Sequence, residues 1–516
     1  MRARKKTSPV SLRLKTLQDV AVELMNARQS RDLLDLLVNK AVDLLGCDAG
    51  TLYLKADESH LAFEVAVNRS VSIREFQRVL IPISGRGLAA YVFRSAKPLR
   101  IKDVYKIADD APYGFDSSFD RSLNYRTQST VVQPLKSSKG EVLGVLQLIN
   151  RMPQFTLADE RLLESFAAVA SASLDTARLH KNIEDLFEGF VKASVHAIES
   201  RDEATRGHSE RVAILTVDLA RKISASHESE LRDIQFNETQ IAEIRYASLL
   251  HDFGKIGVPE SILQKEEKLS LAQKSAIRAR ITEFEQTAEI RALRGFVDDH
   301  IRSRRVPDEV ELAALNRKII EFRQVMEERW GLILDLCRPT VLNEDRSHSL
   351  DALKHVKCCA ADGHEKALLL GEEVAGLRIL KGSLSHEERL AIEAHVSHSF
   401  AFLKQIPWTK ELSGVPDIAH SHHERLDGSG YPRKISAHEI PVQAKIMAVA
   451  DVFDALVAND RPYKPALPIE KVLSIIEAEC RSGKLETKFF KVFHEARVYE
   501  CDEMLRFNAE VLKKAA

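Results

Sequence analysis

The sequence predicts a multidomain protein. An N-terminal α+β domain, with an antiparallel sheet flanked by helices, is followed by a long connecting helix and a C-terminal all-α domain. Two changes in periodicity predict this order. Apolar residues recur at helical spacing over residues 12–46, alternate with a period of two over 50–150, and return to helical spacing from 156 onward. Hairpin-connected strands between helices form an α+β domain, and a long helical pattern forms an all-α one.

The composition is that of a globular protein with more than one core. The chain has 516 residues, of which 44% are hydrophobic and 29% are charged. Its formal net charge of −1 provides no field that would attract a nucleic acid polymer or a membrane surface. The apolar runs are shorter than the ~18 residues that a membrane span needs. Six scattered cysteines favour free thiols and a reducing compartment, so we expect a cytoplasmic protein.

The first domain is expected over residues 12–161. Two helices come first, and Ser137–Gly140 provides a hairpin turn late in the sheet. Thr156 and Asp159 form a capping signature, so a helix begins there. Between these helices the alternation predicts a short helix over 85–94 and strands over 50–56, 60–68, 78–83, 97–103, 129–135 and 142–150.

The end of this domain carries a recognisable signature. Asn150-Arg151, Phe155 and Asp159-Glu160 resemble the Asn-Lys…Phe…Asp-Glu signature of cyclic-nucleotide-binding GAF domains, with Arg151 in the place of lysine. The resemblance implies a sensor domain in which these residues support the fold and the pocket. A small molecule such as a cyclic nucleotide is the implied ligand, and a ligand-free dimerisation domain is the alternative. The segment 105–125 would cover such a pocket as a lid.

The connecting helix is expected over residues 162–199. Apolar residues on it step by four, three and four, which is the spacing of a coiled-coil seam. A homodimer through this seam is expected, and the helix either transmits a rotation or register shift between domains or acts as a passive spacer. The seam consists of Leu179, Ile183, Leu186 and Phe190.

The all-α domain is expected over 200–516, with a charged helical insertion over 264–380 on its outside. Within the insertion, helices are expected over 270–294 and 309–329, with a Pro/Asn/Ser-rich break over 339–349. Two histidines and two cysteines lie close together in it, but their spacing fits no common zinc pattern. These residues are His355, Cys358, Cys359 and His364.

The strongest functional signal is the segment from His420 to Pro432, which reads His-Ser-His-His-Glu-Arg-Leu-Asp-Gly-Ser-Gly-Tyr-Pro. Imidazoles cost free energy to bury without partners, and grouped imidazoles most often hold a transition metal. A second pair, His251-Asp252, lies upstream, and Asp451 lies downstream on an apolar helix. An acid in that apolar stretch needs a cation or strong donors. Together these residues predict a multi-metal site, which indicates phosphate-ester hydrolysis.

The pair His251-Asp252 follows a helix over 241–250 that Gly254 and Gly257 end. A helix that terminates there lets both side chains converge, so that Asp252 can bridge two cations while His251 binds one. Lys255 follows within one turn and would face a substrate phosphate as a point charge. Asp252 and Lys255 are therefore the expected catalytic residues.

In combination, these motifs resemble the HD-GYP subfamily of the HD phosphohydrolase superfamily. The resemblance spans 195–263 and 381–500 and implies hydrolysis of cyclic di-GMP with two or three metal ions. It implies that Lys255, Arg461 and Lys464 hold substrate phosphates. By position, it implies the metal ligands His208, His251, Asp252, His395, His422, His423 and Asp451.

Two positions depart from the family pattern. Val396 stands where the family has proline after the histidine, and His398 lies three positions beyond His395, so either histidine could be the ligand. Ala204 stands where three-metal members carry glutamate, so we expect two ions. The resemblance implies iron or manganese, and the mixed nitrogen and oxygen donors would also bind zinc.

Three hypotheses follow. The first is a cyclic di-GMP phosphodiesterase, regulated through the GAF-like domain, that produces the linear dinucleotide or GMP. The second is the same chemistry on another cyclic dinucleotide, because base contacts lie outside the motifs. The third is a signalling scaffold whose metal site binds a nucleotide without turnover.

Overall fold

The structure is a computed structural model, and it forms two compact units that divide between Glu188 and Gly189. None of the helices in the part of the chain that it describes combines the length and apolar character needed to cross a membrane. The described residues are 18–19, 22–24, 30–71, 79–201, 206–457 and 467–515.

The first unit contains the predicted antiparallel sheet. Six strands pair in the order β3-β2-β1-β6-β5-β4, and each neighbouring pair is antiparallel. The strands are β1 (Cys47–Lys55), β2 (His60–Asn68), β3 (Leu80–Pro82), β4 (Leu99–Ile101), β5 (Thr130–Lys136) and β6 (Val142–Arg151). The helices are α1 (Ser30–Leu45), α2 (Leu88–Ser95), α3 (Ser118–Leu123) and the beginning of α4 (Leu157–Glu199).

The two faces of the sheet carry separate cores, because successive residues of a strand point to opposite sides. On β5, Val131 and Leu135 pack with apolar residues of α1 and α4. Val132 lies between them in the sequence and packs with α2 and the loop after β4. The sheet is therefore covered on both faces, which explains why its central strands are almost continuously buried.

The signature residues make structural contacts, as expected. The Asn150 side chain accepts a hydrogen bond from the Gln128 amide at 2.7 Å and donates to the Tyr125 hydroxyl at 2.9 Å. Arg151 donates to the Leu45 carbonyl at 2.7 Å and pairs with Asp159 at 2.5 Å. Arginine therefore forms the ion pair at the position where the signature has lysine.

The predicted cap is also present at the start of α4. Asp159 accepts hydrogen bonds from the Thr156 amide at 2.9 Å and the Thr156 hydroxyl at 2.6 Å. The helix begins at Leu157 and runs without a break to Glu199, so it starts earlier than the predicted connecting helix.

The second unit is mainly helical. Helix α5 packs against α6 and α14, and α12 packs against the 3-10 turn Phe253–Gly257 that follows α6. The helices are α5 (His208–Ser224), α6 (Glu238–Leu250), α7 (Glu260–Leu263), α8 (Leu271–Ser303), α9 (Glu309–Cys337), α10 (Glu344–Lys354), α11 (Gly371–Leu377), α12 (His386–Leu403), α13 (Val415–His420), α14 (Val442–Val457), α15 (Ile469–Arg481), α16 (Thr487–Glu495) and α17 (Asp502–Ala515).

The helical character expected for this half is confirmed, and it is interrupted at one place that the sequence did not predict. Strands β7 (Lys357–Cys359) and β8 (Glu365–Ala367) form a two-stranded antiparallel sheet within the predicted insertion. Each strand has three residues, which is too short to show an alternation of apolar and polar side chains. The two long helices α8 and α9 also extend beyond their predicted ends, and α10 occupies part of the predicted break.

Replacement of Asp159 by alanine tests the role of the signature in stability. The substitution leaves the Arg151 guanidinium and the Thr156 amide without their buried acceptor, so we expect the N-terminal unit to lose about 3 kcal/mol of stability. Calorimetry of the full chain measures the shift in the unfolding temperature of this unit. Glu164→Ala, on an exposed position of the same helix, is the matched control. Equal unfolding temperatures in the two variants would show that the signature does not support the fold.

Candidate metal centre

Five segments of the second unit bring the predicted ligands together. His208 is the first residue of α5, and His395 lies on α12. His251 caps the C-terminus of α6, and Asp252 begins the 3-10 turn with φ −92° and ψ 3°. The chain therefore leaves the helical path at the pair, so these adjacent side chains converge as the sequence predicted. His422 and His423 follow α13, and Asp451 lies on α14.

The ligand atoms form two groups. In one, atoms of His208, His251 and Asp252 lie within 4.8 Å of one another, and in the other, those of His395, His422 and His423 do. Asp252 belongs to the first group and also reaches the second. Its Oδ2 is 3.5 Å from His251 Nε2, and its Oδ1 is 3.1 Å from His395 Nε2. A carboxylate with one oxygen toward each imidazole group has the arrangement of a ligand that bridges two cations.

Asp451 also faces both groups. Its Oδ1 lies 3.3 Å from His208 Nε2, and its Oδ2 lies 3.7 Å from His423 Nδ1. The Asp451 side chain is buried among apolar residues of α14, where an uncompensated carboxylate would be costly. The two aspartates thus supply the negative charge of a site whose other donors are imidazoles.

Three imidazoles are held by the same local contact. Nδ1 lies 2.7 Å from the carbonyl oxygen three residues earlier in His251, 2.5 Å in His395 and 2.6 Å in His422. A carbonyl can only accept, so Nδ1 carries the hydrogen and the lone pair is on Nε2. All three Nε2 atoms are buried and have no hydrogen-bond partner. Buried unpartnered lone pairs that converge on carboxylates fit a metal site, because a cation would satisfy them.

His208 is held by a carboxylate that the sequence analysis missed. Its Nδ1 lies 2.8 Å from Asp454 Oδ2, and Arg211 holds the same carboxylate through contacts of 2.7 and 3.0 Å. A carboxylate behind a ligating imidazole fixes its tautomer and raises its basicity. Asp454 gave a usable signal, since it is a second acid on the apolar helix α14, three residues after Asp451 and on the same face.

Burial and neighbouring charge set the protonation of the donors. Burial lowers the pKa of His423 to about 3 and the pKa of His422 well below its usual value, so both are neutral donors near pH 7. Burial opposes the charge of Asp252, but Lys255 and His251 outweigh it and hold the pKa of Asp252 well below its usual range. Burial would lower the pKa of His208, but hydrogen bonds to Asp451 and Asp454 raise it to about 10. A cation that binds His208 would therefore displace a proton from it.

A close approach of two backbones positions His395. A Cβ atom on Gly254 would lie 1.9 Å from the His395 carbonyl oxygen and 2.4 Å from the Ser399 nitrogen. The Ser399 hydroxyl accepts from the Gly254 amide at 2.7 Å and donates to the His251 carbonyl at 2.7 Å. Helix α12 thus rests directly on the turn that carries Asp252, which only glycine permits. The sequence showed Gly254 as the residue that ends a helix and not as a packing site.

The remaining predicted residues fall into three classes. Lys255 lies at the centre, with Nζ 2.8 Å from Asp252 Oδ2. Arg461 and Lys464, the other expected substrate contacts, lie outside the described residues, as does Ala204. His398 is exposed and packs at Gly257, away from the two groups.

Two other histidine sites of the sequence analysis lie elsewhere. The ring of His420 stacks on Phe400 at 4.1 Å, so it belongs to the packing of α12 on α13. In the described part of the chain, the histidines and cysteines of the insertion form no group with metal-ligand geometry.

The loop after His423 folds back onto itself. The Glu424 carboxylate accepts from the Arg433 amide at 2.7 Å and from the Ile435 amide at 3.1 Å. A Cβ atom on Gly430 would lie 2.4 Å from the Arg425 nitrogen, so this glycine also permits a close approach of backbones. The Tyr431 ring then packs 4.8 Å from the ring of His423 and forms one wall of the centre.

Comparison with protein families assigns both units. The GAF domain family matches residues 30–174. The HD domain family matches residues 205–317, and a second HD domain profile matches 355–488. The chain therefore contains a GAF domain and an HD domain, and the helices α5, α6, α12 and α14 that carry the clustered ligands lie within the HD matches. The resemblances to GAF and HD proteins seen in the sequence are confirmed at this level.

Three curated relatives align with shorter segments. The "3'3'-cGAMP-specific phosphodiesterase 3" of Vibrio cholerae is 42% identical over 102 residues, which are 20% of this chain and 21% of the relative. The "3'3'-cGAMP-specific phosphodiesterase 1" of the same organism is 38% identical over 111 residues, 22% of this chain and 25% of the relative. The "Cyclic di-GMP phosphodiesterase" of Thermotoga maritima is 43% identical over 104 residues, 20% of this chain and 27% of the relative. The matches thus span about a quarter of each relative.

A methyl group at Gly254 tests the close approach that positions His395. We expect Gly254→Ala to push α12 away from the turn, to destabilise the second unit by about 1–3 kcal/mol and to lower the content of bound metal. Metal analysis of the purified full chain measures the latter. Gly257→Ala is the matched control, because the atoms nearest to its Cβ belong to the exposed side chain of His398, with Nδ1 at 2.9 Å, and not to a backbone. Equal metal content in both variants would contradict this account of the packing.

Replacement of Asp454 by asparagine tests the support of His208. The amide keeps the shape of the carboxylate but removes the charge behind the imidazole, so we expect metal affinity to fall about 10- to 100-fold. Competition with a metallochromic chelator measures the affinity. An unchanged affinity would mean that His208 needs no carboxylate partner or does not bind the metal.

Proposed function

We propose that this chain is a metal-dependent phosphodiesterase of the HD-GYP type that hydrolyses a 3'-5' phosphodiester of cyclic di-GMP to the linear dinucleotide or GMP. One observation carries the proposal: the Asp252 carboxylate lies between two buried groups of imidazoles whose Nε2 atoms include unpartnered lone pairs. A bridging carboxylate between two sets of nitrogen donors suits a two-metal phosphoesterase. The name of the Thermotoga maritima relative is consistent with this substrate.

The donor set favours two divalent cations, with iron or manganese preferred. His208, His251 and Asp451 would hold one, and His395, His422 and His423 the other, with Asp252 shared. Imidazole and carboxylate ligands suit both metals. When bound, the cations supply positive charge for phosphoryl oxygens and lower the pKa of water, so that a hydroxide nucleophile is available near neutral pH.

The residues of the chain then position the substrate and stabilise the charge that develops during the reaction. The Lys255 ammonium lies beside Asp252 and faces the place where charge develops on the phosphoryl oxygens. Arg461 and Lys464 hold the substrate phosphates, in accordance with the resemblance, and an arginine can do so with two parallel hydrogen bonds. The wall formed by Tyr431 limits the access of water to the donor groups from its side.

A second substrate is favoured by a specific observation. Two of the three relatives described above are named for 3'3'-cGAMP, in which one guanine is replaced by adenine. The chemistry at phosphorus is the same for both dinucleotides, so the metal centre does not discriminate between them. The second candidate function is therefore hydrolysis of a mixed cyclic dinucleotide.

The GAF domain supplies a place for a regulatory ligand. A cavity of about 500 Å³ lies beside the segment that was predicted to act as a lid, and it is lined by aromatic residues and by Arg86. Tyr105 and Tyr113 contribute rings, and Asp116 a carboxylate. Aromatic rings together with a cation suit a small molecule such as a cyclic nucleotide, whose binding would regulate hydrolysis.

Helix α4 supports a homodimer. The four seam residues of α4 are all more than half exposed, and Leu186 is 75% exposed. The flanking positions 180, 182, 187 and 189 carry no acidic, lysine or arginine side chains, so two parallel copies would meet without like-charge repulsion.

The six free cysteines favour a reducing compartment such as the cytoplasm.

Removal of single donors tests the proposed activity. We expect Asp252→Asn and His423→Ala to abolish hydrolysis of cyclic di-GMP, because each takes one ligand from the centre. Hydrolysis is measured over a panel of cyclic dinucleotides, with the iron and manganese content of each sample known. His398→Ala, a histidine outside the two groups, is the matched control and should keep its activity. Full activity in Asp252→Asn with unchanged metal content would refute the site.

A further inference from the structure

The loop that follows His423 contains two charged side chains without a hydrogen-bonded or ion-paired partner in the described part of the chain, the exposed Lys434 and the half-buried Arg425. Its two acidic groups are engaged: Glu424 accepts from two backbone amides, and Asp427 accepts from the Ser429 amide at 2.9 Å and the Ser429 hydroxyl at 2.6 Å. The Arg433 guanidinium donates to the Ser421 hydroxyl at 2.6 Å. Arg425 has no ion pair with any described residue.

The environment of Arg425 makes this lack of a partner costly. Its side chain is half-buried, and Nη1 has no exposure to solvent and no hydrogen-bond partner in the described part of the chain. A buried N–H of a charged group without an acceptor loses its hydration and gains nothing in return. A buried polar group without a partner is rare in folded proteins and needs an explanation, such as a bound ligand or a role in function.

The position of Arg425 is beside the metal centre. The close approach at Gly430 brings the backbone at Arg425 against the segment that precedes Tyr431, and the Tyr431 ring packs on His423. Burial and the charges of Asp451 and Asp252 raise the pKa of Tyr431, and the charge of Arg425 opposes them. The same phenol therefore lies near the carboxylates of the centre and near this guanidinium.

We propose that Arg425 binds the second phosphate of a cyclic dinucleotide, the one that is not cleaved. The inference rests on the proposed function and adds a substrate-binding residue to it. A cyclic dinucleotide carries two phosphodiesters, each with one negative charge. The phosphate that reacts lies at the Asp252 carboxylate, its cations and Lys255. Besides Arg461 and Lys464, the other phosphate can take a cationic partner beside the centre. The guanidinium of Arg425 provides one, because its side chain is only half-buried and forms no ion pair with a described residue.

A comparison of two substrates separates binding of the second phosphate from a general effect on catalysis or folding. Cyclic di-GMP has two phosphates, whereas bis(p-nitrophenyl) phosphate has only the phosphate that reacts. We expect Arg425→Gln to lower kcat/KM for cyclic di-GMP about 10- to 100-fold, mainly through KM, the loss typical of a charged hydrogen bond. Turnover of bis(p-nitrophenyl) phosphate and the metal content should stay within about twofold of the unmodified chain. Arg425→Lys keeps the charge and should recover part of the loss.

Arg433→Gln is the matched control, because it removes an arginine of the same loop whose partner is a serine within the protein. We expect no selective loss for cyclic di-GMP in this variant. An equal loss for both substrates in Arg425→Gln, or no loss for either, would overturn the role of Arg425. Absence of turnover of both substrates by the unmodified, metal-loaded chain would instead overturn the proposed function, so the two failures are distinguishable.

Discussion

The centre depends on how four of its five imidazoles are held through the ring nitrogen that points away from the centre. In His251, His395 and His422 this nitrogen donates to a carbonyl of the preceding turn, and in His208 it donates to Asp454. These contacts fix the direction of each ring, and in His251, His395 and His422 they also fix the position of the lone pair before any cation binds. The rings therefore lose little rotamer freedom on metal binding, and their convergence is a property of the fold.

The same constraint links the packing of helices to chemistry. Ser399 bridges the Gly254 amide and the His251 carbonyl, so one hydroxyl connects α12, the 3-10 turn and the end of α6. Asp252, the proposed bridging ligand, lies on that turn, and His395 lies one turn of helix before Ser399. The distance between the two donor groups is therefore set by the contact of two backbones, and not by flexible side chains.

The sequence predicted the features that are local. The order of the sheet strands along the chain, the cap of α4 at Thr156 and the end of α6 at His251 all follow from patterns within a few residues. The pairing of Asp454 with His208 was missed because the two residues are 246 positions apart and only the packing of α14 on α5 joins them. The packing role of Gly254 was missed for the same reason, because the backbone that leaves no room for a side chain at this position belongs to α12, which is distant in the sequence. The β7–β8 hairpin was missed because three-residue strands carry no periodicity.

The most direct measurement of the central claim is X-ray absorption spectroscopy of the full chain reconstituted with iron or manganese, with the metal content of the sample determined. The account predicts two ions per chain, nitrogen and oxygen ligands only, and a metal–metal separation of ~3.5–4 Å. A single ion per chain under metal-replete conditions, or two ions without a metal–metal distance in this range, would contradict it.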